Sequence, residues 1–392
     1  MRETERDVKP DLVAAARAAV PAVEAGAAAG EAQRTLPRET VEVLVDAGLF
    51  ELMVPRCLGG AECDLDTALR VFEEISRADG SAGWCLMAGA ASSAVAAVYT
   101  GDAAAKEMFE GRRGVVHAGQ LAPRGSARAE NGGYRVTGSW SFGSGALHAT
   151  HLLGGCIAFD GEAPRMLPNG FPEILAVCVP RERVILRDNW NVVGLEGTGS
   201  IDYAMEGVAV PADYAFPLLS SQPRRGGPLY RLGVLGLTAS GHAGFALGVG
   251  RRALDEIRAI ALRKVRLGQT RLAEHETFQV SLARHEARLR AARAFVFDAF
   301  GAAEREVYSG RELAQETRAL LRLATTHATE AAADAAEFAY RAGGSDALRL
   351  PSRLQRAWRD IHAGTQHLFV DDRTLVDGAR VLLGLAPPGL VI

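Results

Sequence analysis

Asn131-Gly-Gly-Tyr-Arg-Val-Thr-Gly-Ser-Trp-Ser-Phe-Gly-Ser-Gly145 decides the fold class. Tyr134, Val136, Gly138, Trp140 and Phe142 fall on every second position, with polar residues or glycine between them, which is the period of a half-buried strand. Asn131-Gly132-Gly133 ahead of them is a hairpin-type turn, because adjacent Asn and Gly tolerate the positive φ that a tight hairpin needs. The surroundings extend the pattern. Ile174 to Val179 is a continuous apolar run closed by Pro180, as in a strand buried on both faces, and Val184-Ile185-Leu186 and Ile201, Tyr203 and Met205 add further strands. No long helical pattern interrupts residues 114–217, so they are predicted to form an antiparallel β domain.

Both flanks carry the helical period. Upstream, Val41, Leu44, Val45 and Leu49 mark one helix, and Leu65, Leu69, Phe72 and Ile75 a second. Ala82 to Tyr99 forms a third, rich in small residues, and Thr100-Gly101-Asp102 reads as its stop and a new start. Downstream of a Pro- and Gly-rich link at 217–229, Phe278, Leu282, His285, Leu289, Ala292, Val296 and Ala299 alternate spacings of 4 and 3, the seam of a bundle. Leu320, Ala324, Ala328, Ala331, Ala335 and Phe338 repeat the stripe. A final helix is predicted over roughly Ser352 to Val370. The class is therefore α+β, with helices at 1–113, a β domain at 114–217 and a helical bundle at 218–392, not alternating βαβ.

Composition narrows the function. Hydrophobic residues make up 48% and charged residues 23%, and 44 basic against 47 acidic residues leave a net charge of −3. No general attraction to nucleic acid or an anionic membrane follows. Five cysteines without CxxC spacing argue against a disulfide framework or a zinc site. The charged start, Met1 to Arg6, lacks the apolar segment of a signal peptide. Ala88 to Tyr99 is too short to span a bilayer. A cytoplasmic protein is expected.

Neither a strand–GxGxxG–helix unit nor a GxxxxGK[ST] loop is present. Gly241, Gly244, Gly248 and Gly250 sit in a helical context, where close helix packing explains them. Ser144 lacks the GxSxG frame of a hydrolase elbow, and His148 with His151 has no carboxylate close in sequence to complete a metal site. Three stretches hold residues of interest. One runs from His117 through Gln120 to Ser126, and a second from Gly138 through Trp140, Ser141 and Ser144 to Gly145. Both put small or hydroxyl side chains at strand ends, where a flat ligand can approach the backbone. The third is Tyr340 to Ser345 followed by Arg356 to His367, where Arg359-Asp360 is a natural ion-pair or cap element and His362 and Gln366 share a helix face.

Taken together these residues resemble the acyl-CoA dehydrogenase superfamily over nearly the whole chain. The resemblance is carried by Leu49 to Pro55 with Leu58-Gly59-Gly60, Ala78 to Trp84, Gly138-Ser-Trp140, Arg263, Phe278-Gln279, Gly343-Gly344 and Arg359-Asp360. It implies a helical domain, a β domain and a C-terminal four-helix bundle, assembled as a homotetramer with flavin at the interfaces. Where many dehydrogenases of this family carry Tyr-Glu-Gly-Thr, with Glu as the base, this chain reads His362-Ala363-Gly364-Thr365. A methyl group accepts no proton. The local sequence instead resembles the group D flavin-dependent monooxygenases, through Gly83-Trp84, Trp140 to Gly145 and His367.

That branch implies a two-component oxygenase. A separate NAD(P)H-dependent reductase supplies reduced FAD or FMN, O₂ adds to give a C4a-hydroperoxide, and a small aromatic or heteroaromatic molecule is oxygenated where water is excluded. Within that expectation His367 is the general base and Ser144 contacts the flavin or substrate. Gln120, Ser126, Trp140, Ser141, Gly343, Gly344 and Thr365 line the cofactor, and Arg263 and Gln279 hold the phosphate or adenine of this or a neighbouring subunit's flavin. Trp84, Ser92, His117 and His362 line the substrate pocket. Ser92 stands where phenol hydroxylases of the branch place a histidine. Two rival readings remain. A dehydrogenase or oxidase with a different base predicts yellow protein bleached by a thioester, and a non-catalytic relative predicts no flavin binding.

Overall fold

The computed structural model describes residues 11–265 and 270–385; the charged start, Met1 to Arg6, lies outside them. Five helices open the chain: α1 (Leu12–Gln33), α2 (Arg38–Asp46), α3 (Leu65–Ala78), α4 (Gly80–Tyr99) and α5 (Asp102–Phe109). Then come β1 (His117–Glu130), β2 (Gly133–Gly143), β3 (His151–Asp160), β4 (Ala163–Pro164), β5 (Ile174–Pro180), β6 (Ile185–Leu186), β7 (Ile201–Pro211) and β8 (Ala215–Pro217). The helical part that follows holds α6 (Gly233–Arg263), α7 (Glu276–Tyr308), α8 (Gln315–Gly343), α9 (Ser345–Leu348), α10 (Arg353–Gly364) and α11 (Asp372–Leu382).

The strands form one sheet in the order β6-β7-β2-β1-β3-β5-β8, with β4 beside β3. Asn131 and Gly132, both at positive φ, turn β1 into β2, and Glu130 pairs with Gly133 across the turn. The sheet is mixed, which corrects the antiparallel expectation: β3 runs parallel to β1, from His117 opposite His151 to Arg128 opposite Phe159. After β2 the chain needs only the Ser144–Thr150 turn to pass the start of β1 and pair on its far side. Side-chain alternation is the same in either strand direction, so the pattern could not reveal this.

Glycines bring the helical layers together. A Cβ on Gly83 would lie 2.0 Å from Ser76 Oγ, one on Gly244 2.6 Å from Phe72 Cβ and one on Gly248 2.4 Å from the Glu73 carbonyl. Those contacts seat α4 and α6 directly on α3. Asp79 caps α4 by accepting the Ala82 N–H at 2.9 Å. One large apolar core joins the N-terminal helices to α6, α7, α8 and α10, and a second fills the sheet around Trp140 and Tyr203.

Two expectations change in detail. The last predicted helix, Ser352 to Val370, ends early as α10 at Gly364; His367 initiates a short turn at Leu368–Val370, and a further helix, α11, follows beyond the predicted bound. The apolar stretch around Ala88 begins earlier than expected, so α4, like α1 and the Pro228–Arg263 segment, is long and apolar enough to cross a membrane by length and composition. In α4 and Pro228–Arg263 that apolarity serves the protein core, where 89% of each window is buried. In α1, 28% is buried and alanine supplies the apolar character.

Candidate active site

Four segments converge on the Trp84 side chain. Trp84 comes from the first turns of α4, where Asp79 and Gly83 hold the helix against α3. Its indole N–H donates to Ser144 Oγ at 2.9 Å, in the turn after β2. Ser144 and Ser200 hydroxyls are 2.7 Å apart, Ser200 and Thr198 2.6 Å, and the Thr198 hydroxyl donates to the Leu195 carbonyl at 2.8 Å. A hydroxyl has one proton to give. With Thr198 committed to Leu195, Ser200 donates to Thr198 and Ser144 donates to Ser200. Ser144 is thereby left with an acceptor lone pair and no free proton.

The aromatic edge of the site comes from α6 and the turn after α10. Phe245 meets Trp84 edge-on with ring centres 4.9 Å apart, and His367 meets it at 5.7 Å. Gly364 makes room: a Cβ there would lie 2.6 Å from Phe245 Cε1 and 3.5 Å from Trp84 Cζ3. His367 Nδ1 accepts the Phe369 N–H at 3.4 Å and its ring lies 5.0 Å from that of Phe369. Burial pushes His367 down to about 4, so the ring is neutral near pH 7.

α10 is anchored where the sequence placed an ion-pair element. Arg356 pairs with Glu31 at 2.8 Å, Arg359 pairs with Glu31 and, at 2.5 Å, with Glu196, and Asp360 Oδ1 accepts the Leu195 N–H at 2.6 Å. These bonds tie α10 to α1 and to the Leu195–Ser200 loop, and so fix His367 relative to Ser144. Burial and the Asp79 carboxylate push Asp360 up to about 8.

Other expected residues lie elsewhere. Trp140 is fully buried inside the sheet, its N–H donated to the Gly155 carbonyl and its ring stacked on Tyr203, so it offers no face to a ligand. Alternation marked it as inward-pointing, and inward here means the sheet's own core. His117 is also fully buried, stacked on Phe109 and His151 with Nδ1 3.2 Å from Ser93 Oγ, because β1 opens beneath α4 and α5. His362 donates Nδ1–H to the Trp358 carbonyl at 2.8 Å and packs on that indole, and Thr365 caps the same turn by donating to the His362 carbonyl. Ser92 is half-buried on α4, roughly two turns beyond Trp84.

Gln120 fits a cofactor wall better. Its Oε1 is buried without a hydrogen-bond partner among the described residues, and between Gln120 and Gly125 the register shifts twice, so local backbone leaves the ladder. Ser126, donating weakly to the Thr137 carbonyl at 3.4 Å, lies just past this bulge, and Ser141 is half-buried on β2.

Arg263, Gly343 and Gly344 gather at the opposite end of α6. Arg263, Lys264, Val265, Gly344, Ser345 and Asp346 line an open hollow of about 510 Å³. Lys264 is held by Asp346 at 3.0 Å and by the Gly343 carbonyl, while Arg263 has no ion-pair partner among the described residues. Gln279 is exposed at the start of α7, its amide donated to the Ala273 carbonyl.

One residue was missed. His242 on α6 is fully buried, 5.4 Å from Trp84 and 5.3 Å from His367 between ring centres. Burial and the neighbouring His367 hold it well below its ordinary value. No carboxylate among the described residues enters the electrostatics of either ring. The signal available in the sequence was a single imidazole among the packing glycines Gly241 and Gly244.

The fold, the acceptor-only serine and an aromatic cluster with no carboxylate among the described residues fit the expected scaffold without the usual dehydrogenase base. Residues 8–109 match the N-terminal domain of acyl-CoA dehydrogenases and residues 240–372 their C-terminal domain. The chain is 32% identical over 359 residues to an indole-3-acetate monooxygenase of Pseudomonas putida, covering 91% of this chain and 90% of that protein. It is 28% identical to the flavin-dependent monooxygenase oxygenase subunit HsaA of Mycobacterium tuberculosis, over 98% of each. XiaF from Streptomyces, solved with FADH2 and glycerol, superposes with a TM-score of 0.89 at 26% identity, over 98% of this chain and 97% of XiaF. The protein belongs to the acyl-CoA dehydrogenase family, in its flavin-dependent monooxygenase branch. Its cofactor is reduced flavin, the form named for a hydroxylase relative and bound in XiaF.

Proposed function

We propose that the chain oxygenates a small aromatic or heteroaromatic molecule, with Trp84, Ser144 and His367 forming the reaction site. The carrying observation is the largely buried cluster of uncharged side chains at Trp84, with no carboxylate among the described residues to abstract a carbon-bound proton. Bound flavin supplies the activation of O₂, and the protein supplies the enclosure. Ser144 can only accept a hydrogen bond in this arrangement. Reduced flavin carries an N–H at N5 that oxidised flavin lacks, so an acceptor-only serine favours the reduced form. Gln120 offers its free amide oxygen to the ring system, and the Trp84, Phe245 and Phe369 rings exclude water.

From His242 to Arg263 is roughly six turns of α6, about 30 Å. A flavin ring held at Trp84 therefore cannot also be touched by Arg263. In this reading Arg263, Gln279 and the Gly343-Gly344 turn serve the tail of a flavin from a neighbouring copy, as a homotetramer would arrange, and the reductase delivers flavin by diffusion.

Anaerobic titration with FADH2 and FMNH2, followed by mixing with oxygen, tests the reading. Reduced flavin should bind more tightly than oxidised flavin and give a long-lived oxygenated transient. Anaerobic bleaching of tightly held oxidised FAD by an acyl-CoA thioester would establish the dehydrogenase alternative instead.

A further inference from the structure

His242 has no structural partner that accounts for it. Both ring nitrogens are buried without a hydrogen bond among the described residues, whereas the neighbouring buried hydroxyls of Ser144, Ser200 and Thr198 are all paired. An unpaired buried polar group is costly, so its presence in a native structure calls for an explanation such as a catalytic or binding role. Gly241 packs on Met87 and Gly244 on Phe72, so α6 is pressed against α3 and α4 and the imidazole is directed to the Trp84 side.

We propose that His242 is a substrate-binding residue that works with His367, His242 accepting the N–H or O–H of an uncharged aromatic substrate and His367 donating to that group when it is a hydroxyl. The division of labour follows from hydrogen-bond counting. His367 Nδ1 already accepts from Phe369 N, so its neutral ring carries the proton on Nε2 and offers a donor. His242 has both nitrogens open and supplies the acceptor. An indole N–H satisfies His242, and a phenol O–H, which both gives and receives, satisfies both rings. No lysine or arginine among the described residues enters the electrostatics of either ring, so the pair suits an uncharged group better than a carboxylate.

This inference rests on the proposed oxygenase reading and deepens it. The test uses the enzyme loaded with FADH2 under anaerobic conditions. Indole and resorcinol are compared with indene, in which CH2 replaces the indole N–H. The wild-type enzyme should bind indole and resorcinol roughly tenfold to a hundredfold more tightly than indene. His242→Phe should bring that ratio close to one while FADH2 still binds, and His242→Gln, which keeps an acceptor, should restore much of it. If His242→Phe fails to fold, the unmutated enzyme answers: indole must move the nitrogen NMR resonances of His242 and indene must not. An unchanged ratio in His242→Phe, unmoved resonances, or wild-type binding of indole and resorcinol no tighter than indene overturns the proposal. Failure of the oxygenase reading would look different, as no oxygenated transient would appear in the wild-type enzyme with either reduced flavin.

Discussion

The two ends of α6 are built on opposite principles. At His242 the helix is enclosed, its neighbours are aromatic or hydroxylic, and the two imidazoles in reach of each other are neutral. At Arg263 it ends in an open hollow with one cation tied down and another without an ion-pair partner among the described residues. One end suits chemistry that water would spoil, and the other suits a solvated anion. The distinction is sharpest at His367. His367→Ala should lower product formation about a hundredfold or more, the usual worth of a positioned acid, base or donor. Flavin binding and the oxygenated transient should persist, with hydrogen peroxide replacing product. Wild-type turnover in that variant would remove His367 from the chemistry.

Neutral buried histidines also make the enclosed end sensitive to acid. Burial holds His367 at that end, and His148 in the turn after β2 beside Phe50, at about 4 in the folded protein, against about 6.5 in the unfolded chain. Between those values the unfolded chain takes up protons that the folded one refuses. Stability from these rings is complete above pH 6.5 and is lost as the pH falls toward 4, by up to ~1.4 kcal/mol per pH unit for each ring. Urea midpoints should therefore drop between about pH 6.5 and about pH 4.5. A flat profile there would mean that the rings are hydrated rather than enclosed.

Much of this was legible in residue order. The strand alternation at Tyr134–Phe142, the heptad-like stripe from Phe278 and the missing carboxylate at Ala363 led to the fold and the branch. What stayed hidden was partnership across space. Trp140 and Trp84 both sit beside small residues, yet one fills the sheet core and the other faces His367, because alternation reports that a side chain is buried and not in which layer. Ser92 held the place where a second histidine was sought on α4. A histidine arrives from α6 instead, and the glycines that bring it there were read, correctly, as packing residues.

Ser144→Ala tests the wall between the two environments. It removes the acceptor of the Trp84 N–H and the donor to Ser200, leaving buried groups unpaired at about 1–3 kcal/mol. Preference for reduced over oxidised flavin should narrow by about tenfold. A preserved preference would place the N5 contact on another group.

Arg263→Ala should produce the smallest change and the most selective one. With no ion-pair partner among the described residues, Arg263 can be removed at little cost to the fold, within about 0.5 kcal/mol. Its guanidinium is exposed, so its attraction for a flavin phosphate is screened over a Debye length of about 8 Å at physiological salt. FADH2 affinity should fall roughly threefold to tenfold at low salt, and the difference should shrink as salt is added. Product formed per oxygen consumed should not change, because the enclosed end of α6 is about 30 Å away. Loss of that coupling with affinity intact would mean that the two ends of the helix serve one site after all.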